Sequence, residues 1–214
     1  FVVADQTIRY LISNLIFLNF LQPTLPGLFD GNPMQAVDGS LWTIKVEVML
    51  YLIIPIIVLA FKKYQPLVSY LAILLAGVIW VFYFSKVSNW NLGAEMARQF
   101  PGQIAYFSFG CFLATRSNLI KWLPSLSIIG ILLVVNVPMP YLMRLVLEPI
   151  GFGALTLYLC FLNPSIWNIG KLGDLSYGVY LFHFPIVQLL IHLQVFALHP
   201  VVGVASSLLA TLLM

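Results

Sequence analysis

Long apolar stretches separated by short polar segments run through this chain from end to end. Windowed hydropathy marks about eight of them, and stretches of this kind cross the ~30 Å hydrocarbon core of a bilayer as helices. The pattern therefore predicts an all-α fold, a polytopic transmembrane helix bundle with about eight spans present. These lie near residues 8–22, 41–61, 66–84, 99–115, 124–138, 143–162, 175–195 and 200–214.

The polar segments between the apolar stretches are rich in proline and glycine, which are typical of turns. Examples are QPTLPGLFDGNP (Gln22 to Pro33) and NPSIWNIGKLGD (Asn163 to Asp174). The chain has no visible internal repeat and no linker between two domains. We therefore expect residues 1–214 to form a single membrane-embedded domain.

Composition supports a membrane protein. The chain is 61% hydrophobic and 8% charged, whereas a soluble domain carries about 25% charged residues. The net charge of +3 comes without a basic run, which argues against nucleic acid as a partner. The lipid bilayer is the partner that this composition predicts.

Lysine and arginine are distributed unevenly over alternate loops. By the positive-inside rule the richer set is cytoplasmic. The turn at Asp38 to Ser40 is then extracytoplasmic. The richer set is Arg9, Lys62, Lys63, Arg116, Lys121 and Lys171, and the opposite side has Lys86, Arg98 and Arg144.

Polar side chains form a stripe at the start of the second apolar stretch. Ser40, Thr43, Glu47 and Tyr51 are spaced three and four apart, so they share one helix face. Glu47 has three interpretations: a hydrated interfacial residue, a hydrogen-bonding or ion-pairing residue between helices, or a site residue that positions substrate or moves a proton. For Lys45 we expect a long stem that reaches the outer interface.

A second polar face occurs in KLGDLSYGVYLFHFPIVQLL, Lys171 to Leu190. Ser176, Tyr180 and His183 fall on one helix face, and Pro185 should kink the helix beside them. His183 either bonds a neighbouring helix or takes part in a site. No second histidine or cysteine stands at ligand spacing, so no metal site is predicted.

Both polar faces lie in motifs that resemble those of the acyltransferase 3 family. DGSLWTIKVEVMLYLIIP (Asp38 to Pro55) is similar to the family's first signature, LW-S/T-L-x-V-E-x-x-x-Y-L-x-x-P. LGDLSYGVYLFHFPI (Leu172 to Ile186) is similar to its later signature, LG-x-x-S-Y-x-x-Y-L-x-H-x-P. The matching residues are Trp42, Glu47 and Tyr51 in the first, and Gly173, Ser176, Tyr177, Tyr180, His183 and Pro185 in the second.

The resemblance implies an integral-membrane O-acyltransferase of the bacterial cytoplasmic membrane. Such an enzyme has no bound cofactor. It uses acetyl-CoA or another acyl-CoA as co-substrate and acylates a hydroxyl of a cell-envelope or extracellular glycan, as in O-acetylation of polysaccharides. On this reading Glu47 is the catalytic candidate, and Trp42, Thr43, Tyr51, Ser176, Tyr180 and His183 bind substrate or support the site.

The chain departs from the family pattern in three respects. Lys45 stands at a position that is normally small or apolar, and Val48 stands where a second acidic residue is frequent. The arginine and the histidine of the family's first span, with the Arg-x-x-Arg element that follows, are not in this sequence. We therefore expect a domain incomplete at its N-terminus and cut at its C-terminus, with eight spans of ten, inactive by itself.

Two other classes of function stay open at this point. A transporter or flippase would also place charges inside a helix bundle, and it would move a solute without consuming acyl-CoA. A non-catalytic relative of the acyltransferases would act as a sensor or partner protein.

Overall fold

A computed structural model describes residues 2–16, 18, 21–162 and 175–213, and within them every element of regular secondary structure is helical. A turn of π-helix, Tyr83–Val87, and a turn of 3₁₀-helix, Ser117–Trp122, extend two of the α-helices. The α-helices are α1 (Val2–Leu15), α2 (Trp42–Lys63), α3 (Pro66–Phe82), α4 (Gly93–Ala97), α5 (Phe100–Thr115), α6 (Leu123–Val134), α7 (Tyr141–Leu162), α8 (Leu175–His192), α9 (Val195–Leu198) and α10 (Pro200–Leu213).

The predicted all-helical class is confirmed for the described residues, whereas the count of eight spans is not. Four helical segments there are long and apolar enough to cross a membrane: Trp42–Lys63, Pro66–Val87, Ser117–Val134 and Tyr141–Phe161. Helices of 14 residues, such as α1 and α10, rise only about 21 Å, less than the ~30 Å hydrocarbon core. The chain is an integral membrane protein, and the larger number of spans stays a prediction.

Prolines mark where several of these helices begin. A proline stands in the first turn of α3, α5 and α6, where its missing N–H has no intrahelical partner to lose. Pro55, Pro149 and Pro185 instead lie inside α2, α7 and α8. Each of these removes the hydrogen bond to the carbonyl four residues earlier, yet all three helices continue past the proline.

The chain divides into two compact units, Phe1–Lys45 with Ile169–Met214, and Val46–Asn168. In the first unit α8 packs against α10 and α9. The segment that joins α1 to α2 is held to α8 by the amide of Gln188, which is 2% exposed. Gln188 donates to the carbonyl oxygens of Met34 and Ala36, at 2.6 Å each, and accepts from Asn32 Nδ2 at 3.0 Å.

The second unit contains a hydrophobic core between α3, α5 and α7, with α6 packed against α7. Tyr70 of α3 stacks on Phe112 of α5, with ring centroids 5.0 Å apart, and Ala154 of α7 is completely buried. The side chains Ile57 and Phe61 of α2 join the same core. Burial of these apolar side chains fixes the positions of the polar residues that the same helices carry.

The helices α6 and α7 approach each other backbone to backbone at a pair of glycines. A Cβ at Gly151 would lie 2.8 Å from the backbone nitrogen of Gly130, and a Cβ at Gly130 would overlap the carbonyl oxygen of Gly151. Small residues allow this close approach between transmembrane helices, where dispersion contacts replace the hydrophobic effect as the main attraction.

Candidate functional site

The carboxylate of Glu47 is held by a tyrosine one turn further along α2. Tyr51 donates its hydroxyl proton to Glu47 Oε1 over 2.6 Å, as the spacing of four residues predicts. The Tyr51 ring also lies edge-on against Phe107, with centroids 6.3 Å apart. Both Glu47 and Tyr51 are exposed, so the carboxylate is oriented and at the same time accessible to a ligand.

The N-terminal residues of the predicted polar stripe, Ser40 and Thr43, make different contacts from Glu47 and Tyr51. Thr43 and Ser40 belong to the first unit, in which they meet the hydroxyl of Tyr180 on α8. A main-chain carbonyl only accepts hydrogen bonds, so Tyr180 donates to the Ser40 oxygen. Asp38 completes the cluster because its Oδ1 accepts from the Ser40 nitrogen at 2.8 Å and from Ser40 Oγ at 2.6 Å.

The direction of these hydrogen bonds defines what Thr43 can offer a ligand. Its hydroxyl proton points either to the Tyr180 oxygen or to the Ser40 carbonyl, which is 3.4 Å from Thr43 Oγ1. Both partners lie within the cluster, so the Thr43 oxygen retains lone pairs but no spare proton. Thr43 is therefore suited to accept a hydrogen bond from a substrate hydroxyl.

His183 is oriented by the backbone of its own helix. Its Nδ1 lies 3.0 Å from the Val179 carbonyl oxygen and 2.7 Å from that of Tyr180. Because both partners are acceptors, Nδ1 carries the hydrogen, and in the neutral ring the lone pair is on Nε2. The His183 ring also lies beside that of Tyr180, with centroids 6.1 Å apart.

The structure thus brings together residues of both signatures, Thr43 from the first and Tyr180 and His183 from the second. Trp42 begins α2 and is half-buried. Ser176 is part of α8, but its side chain lies outside the described residues, as does Gly173 with the turn before the helix.

Lys45 corrects one expectation. Its stem is expected along the apolar surface with the ammonium at the outer interface, but the residue is only 9% exposed. The first turn of α2 packs inside the protein at this position, so the stem is enclosed by protein.

Two polar groupings escaped sequence reasoning. Gln188 gave a signal, because an amide inside an apolar helix needs partners, but nothing in the sequence identified them as Asn32 and the loop carbonyls. In the second unit Arg144 Nε bonds Glu148 Oε1 at 2.8 Å, and Tyr106 donates to Glu148 Oε2 at 3.2 Å. The four-residue spacing of this arginine and glutamate is visible in the sequence, but the charge distribution over the loops uses Arg144 alone.

Comparison with known proteins yields one finding. The family model of the acyltransferase 3 family, described as an acyltransferase domain, matches residues 7–214. Neither a curated protein nor a solved structure matches the chain.

Proposed function

Because this chain belongs to the acyltransferase 3 family, we propose that it transfers an acetyl or another short acyl group from acyl-CoA to a hydroxyl of a cell-envelope or extracellular glycan. The site of action would be a bacterial cytoplasmic membrane. The observation that carries the proposal is the family match over residues 7–214. The hydrogen-bonded carboxylate on an apolar helix is the local feature that supports it.

The proposed reaction is a direct acyl transfer. The oxygen of the acceptor hydroxyl attacks the thioester carbonyl carbon, and its proton passes to a general base. The carbon–sulfur bond then breaks, and the products are the ester and the free thiol of CoA. The chemistry requires a positioned base, and donors for the negative charge that develops on the carbonyl oxygen.

We assign Glu47 to the orientation of the general base or of the acceptor hydroxyls. Its hydrogen bond with Tyr51 restricts the carboxylate to one direction, and its exposure leaves room for a partner. Thr43 accepts a hydrogen bond from the acceptor. Following the resemblance, the base itself is a histidine that precedes this sequence in the family pattern.

The second signature supports the donor side in this proposal. Ser176, Tyr180 and His183 shape the channel for acyl-CoA or pack the helices around it, with Trp42 as a further substrate contact. The hydroxyl of Tyr180 supports this role through its contacts with Thr43 and with the turn that precedes α2.

The test is Glu47→Gln introduced into the gene in its own host. Loss of the oriented carboxylate should lower acylation of envelope glycans at least about 100-fold, measured by mass spectrometry of the glycans, with unchanged protein in the membrane fraction. Asp5→Asn is the matched control, because Asp5 is an exposed carboxylate in a surface pair with Arg9 and such pairs contribute little.

Three outcomes separate the alternatives. Full acylation by the Glu47→Gln strain would remove Glu47 from the mechanism and leave the family assignment intact. A gene deletion without any change in acylation would refute the proposed function. Accumulation of an unmodified glycan on one side of the membrane in that deletion strain would identify a transporter instead.

A further inference from the structure

A cavity of about 400 Å³ with a mainly apolar lining and a few polar side chains lies in the second unit, and neither Glu47 nor its hydrogen-bonded tyrosine lines it. It is formed by the C-terminal end of α3, by α4, and by the N-terminal halves of α5 and α7. Its polar lining comprises Ser85, Arg98, Gln103, Tyr106, Arg144 and Glu148. The volume is within the range of small-molecule sites.

An ion pair on α7 organises the cavity. Arg144 and Glu148 are four residues apart, and Glu148 is the more buried, with 21% of its side chain exposed. Glu148 also accepts a hydrogen bond from the Tyr106 hydroxyl, while Arg144 Nη1 donates to Asn136 Oδ1 at 2.7 Å. Charges within a transmembrane helix are costly and mark functional sites, and an apolar pair would serve packing at least as well.

The hydrogen-bonding positions of Arg144 and Glu148 that these contacts leave open indicate what kind of ligand the cavity can bind. A guanidinium has five N–H donors and a carboxylate about four acceptor positions, and contacts with the described residues occupy two of each. The cavity therefore presents donors and acceptors side by side, which suits hydroxyl groups because each hydroxyl both donates and accepts. Glu148 would repel an anion, and Arg144 would repel a cation.

The remaining lining suits the apolar faces of a sugar ring. Val81, Ala105 and Leu145 line the cavity together with the ring of Tyr141. The Lys86 ammonium lies 4.9 Å from the centroid of the Tyr141 ring, a cation–π contact that favours this position of the ring. An amphipathic aromatic ring beside planar polar groups can contact both the C–H face and the hydroxyls of a saccharide.

The lining of the cavity lies toward the ends of α3 and α5 that are away from Lys62, Lys63, Arg116 and Lys121. The positive-inside rule places those ends outside the cytoplasm. We propose that the cavity binds a neutral sugar unit of the acceptor glycan through Tyr106, Arg144 and Glu148. The identification of this sugar as part of the acyl acceptor rests on the proposed function. The binding of a sugar in the cavity does not depend on it.

The experiment uses the full-length protein in lipid nanodiscs. Binding of methyl glucoside, methyl galactoside and methyl N-acetylglucosaminide, each up to about 10 mM, is measured by saturation-transfer NMR, with glucose 1-phosphate as the anionic probe. We expect at least one methyl glycoside to bind, and to bind at least about tenfold more weakly to Glu148→Gln and Tyr106→Phe. Asp5→Asn is the control, because Asp5 and Arg9 form an exposed ion pair of the same spacing, 3.0 Å apart.

Several results would overturn the proposal. One is equal glycoside binding by wild type and the Tyr106→Phe variant, which removes only a hydroxyl and so tests the site if Glu148→Gln does not fold. Others are tighter binding of glucose 1-phosphate than of any methyl glycoside, and no binding of any glycoside. Glycoside binding that depends on Glu148 in a protein without acyl transfer would support the sugar site and refute the proposed function.

In an active protein, kinetics provide a second readout. The Tyr106→Phe variant should raise the KM for the acceptor at least about tenfold and leave the KM for acyl-CoA unchanged. Equal changes in both constants would indicate a general loss of structure and contradict a sugar-binding role.

Discussion

Two glycines of the second unit give opposite predictions for the same substitution. A Cβ at Gly130 on α6 would overlap the carbonyl oxygen of Gly151 and lie 2.8 Å from Leu155 Cβ, whereas a Cβ at Gly110 on α5 would have nothing within 4 Å. Both positions are inside helices. Replacement of each by alanine therefore separates the effect of close helix packing from the helix propensity of the residue.

The magnitudes follow from this geometry. Alanine gains up to about 1 kcal/mol over glycine in a helix, and at Gly110 nothing opposes that gain. At Gly130 the obstructing atoms belong to the backbone of α7, which cannot rotate away as a flexible side chain would. The two helices must separate, and overpacking of this kind costs about 1–3 kcal/mol. We expect Gly130→Ala to destabilise by about 1–2 kcal/mol and Gly110→Ala to stabilise by about 0.5–1 kcal/mol.

The assay is reversible unfolding of the purified protein in mixed micelles of increasing SDS content, followed by circular dichroism. Gly130→Ala should move the midpoint to less SDS than wild type, and Gly110→Ala should move it to more. If Gly130→Ala were as stable as Gly110→Ala, the close backbone contact between α6 and α7 would be refuted.

Two further substitutions test the first unit. Gln188→Leu deletes three buried hydrogen bonds, worth about 3 kcal/mol together, and should speed amide hydrogen exchange of residues 21–41 about 100-fold. The control, Gln6→Leu on the exposed face of α1, should leave that exchange unchanged. Unchanged exchange in the Gln188→Leu variant would contradict the anchoring role of Gln188. Tyr180→Phe removes the hydroxyl that contacts Thr43 and should lower the free energy of unfolding by about 1–2 kcal/mol, and glycan acylation with it. An unaltered melting curve would show that the hydroxyl cluster does not hold the turn before α2 to α8.

Hydropathy was sufficient to find most of the helices, because each predicted stretch from 41–61 onward coincides with an α-helix to within a few residues. The helix α1, Val2–Leu15, instead begins and ends several residues before the first predicted stretch, 8–22. The proximity of Tyr51 to Glu47 also follows from the sequence, since a helix alone brings residues four apart together. Only local geometry is encoded in this way. The contact of Thr43 with Tyr180 joins residues 137 positions apart, and periodicity cannot say which faces of two helices meet.

The errors have the same origin. Lys45 was expected at the interface because its surroundings in three dimensions were unknown, and burial depends on those surroundings. Arg144 is counted with the loop charges in the positive-inside argument, although it lies in the predicted stretch 143–162, and Glu148, one turn further along the same helix, is not considered there. Its partner Tyr106 lies on another helix and was not predictable from spacing.

The two carbonyls that hold His183 have a consequence for any molecule that meets this ring. Both accept the Nδ1 hydrogen from within the same helix, so a neutral ring offers an outside partner only the lone pair of Nε2. A group that binds His183 must therefore bring its own hydrogen, as a hydroxyl does and a carbonyl or a thioester does not.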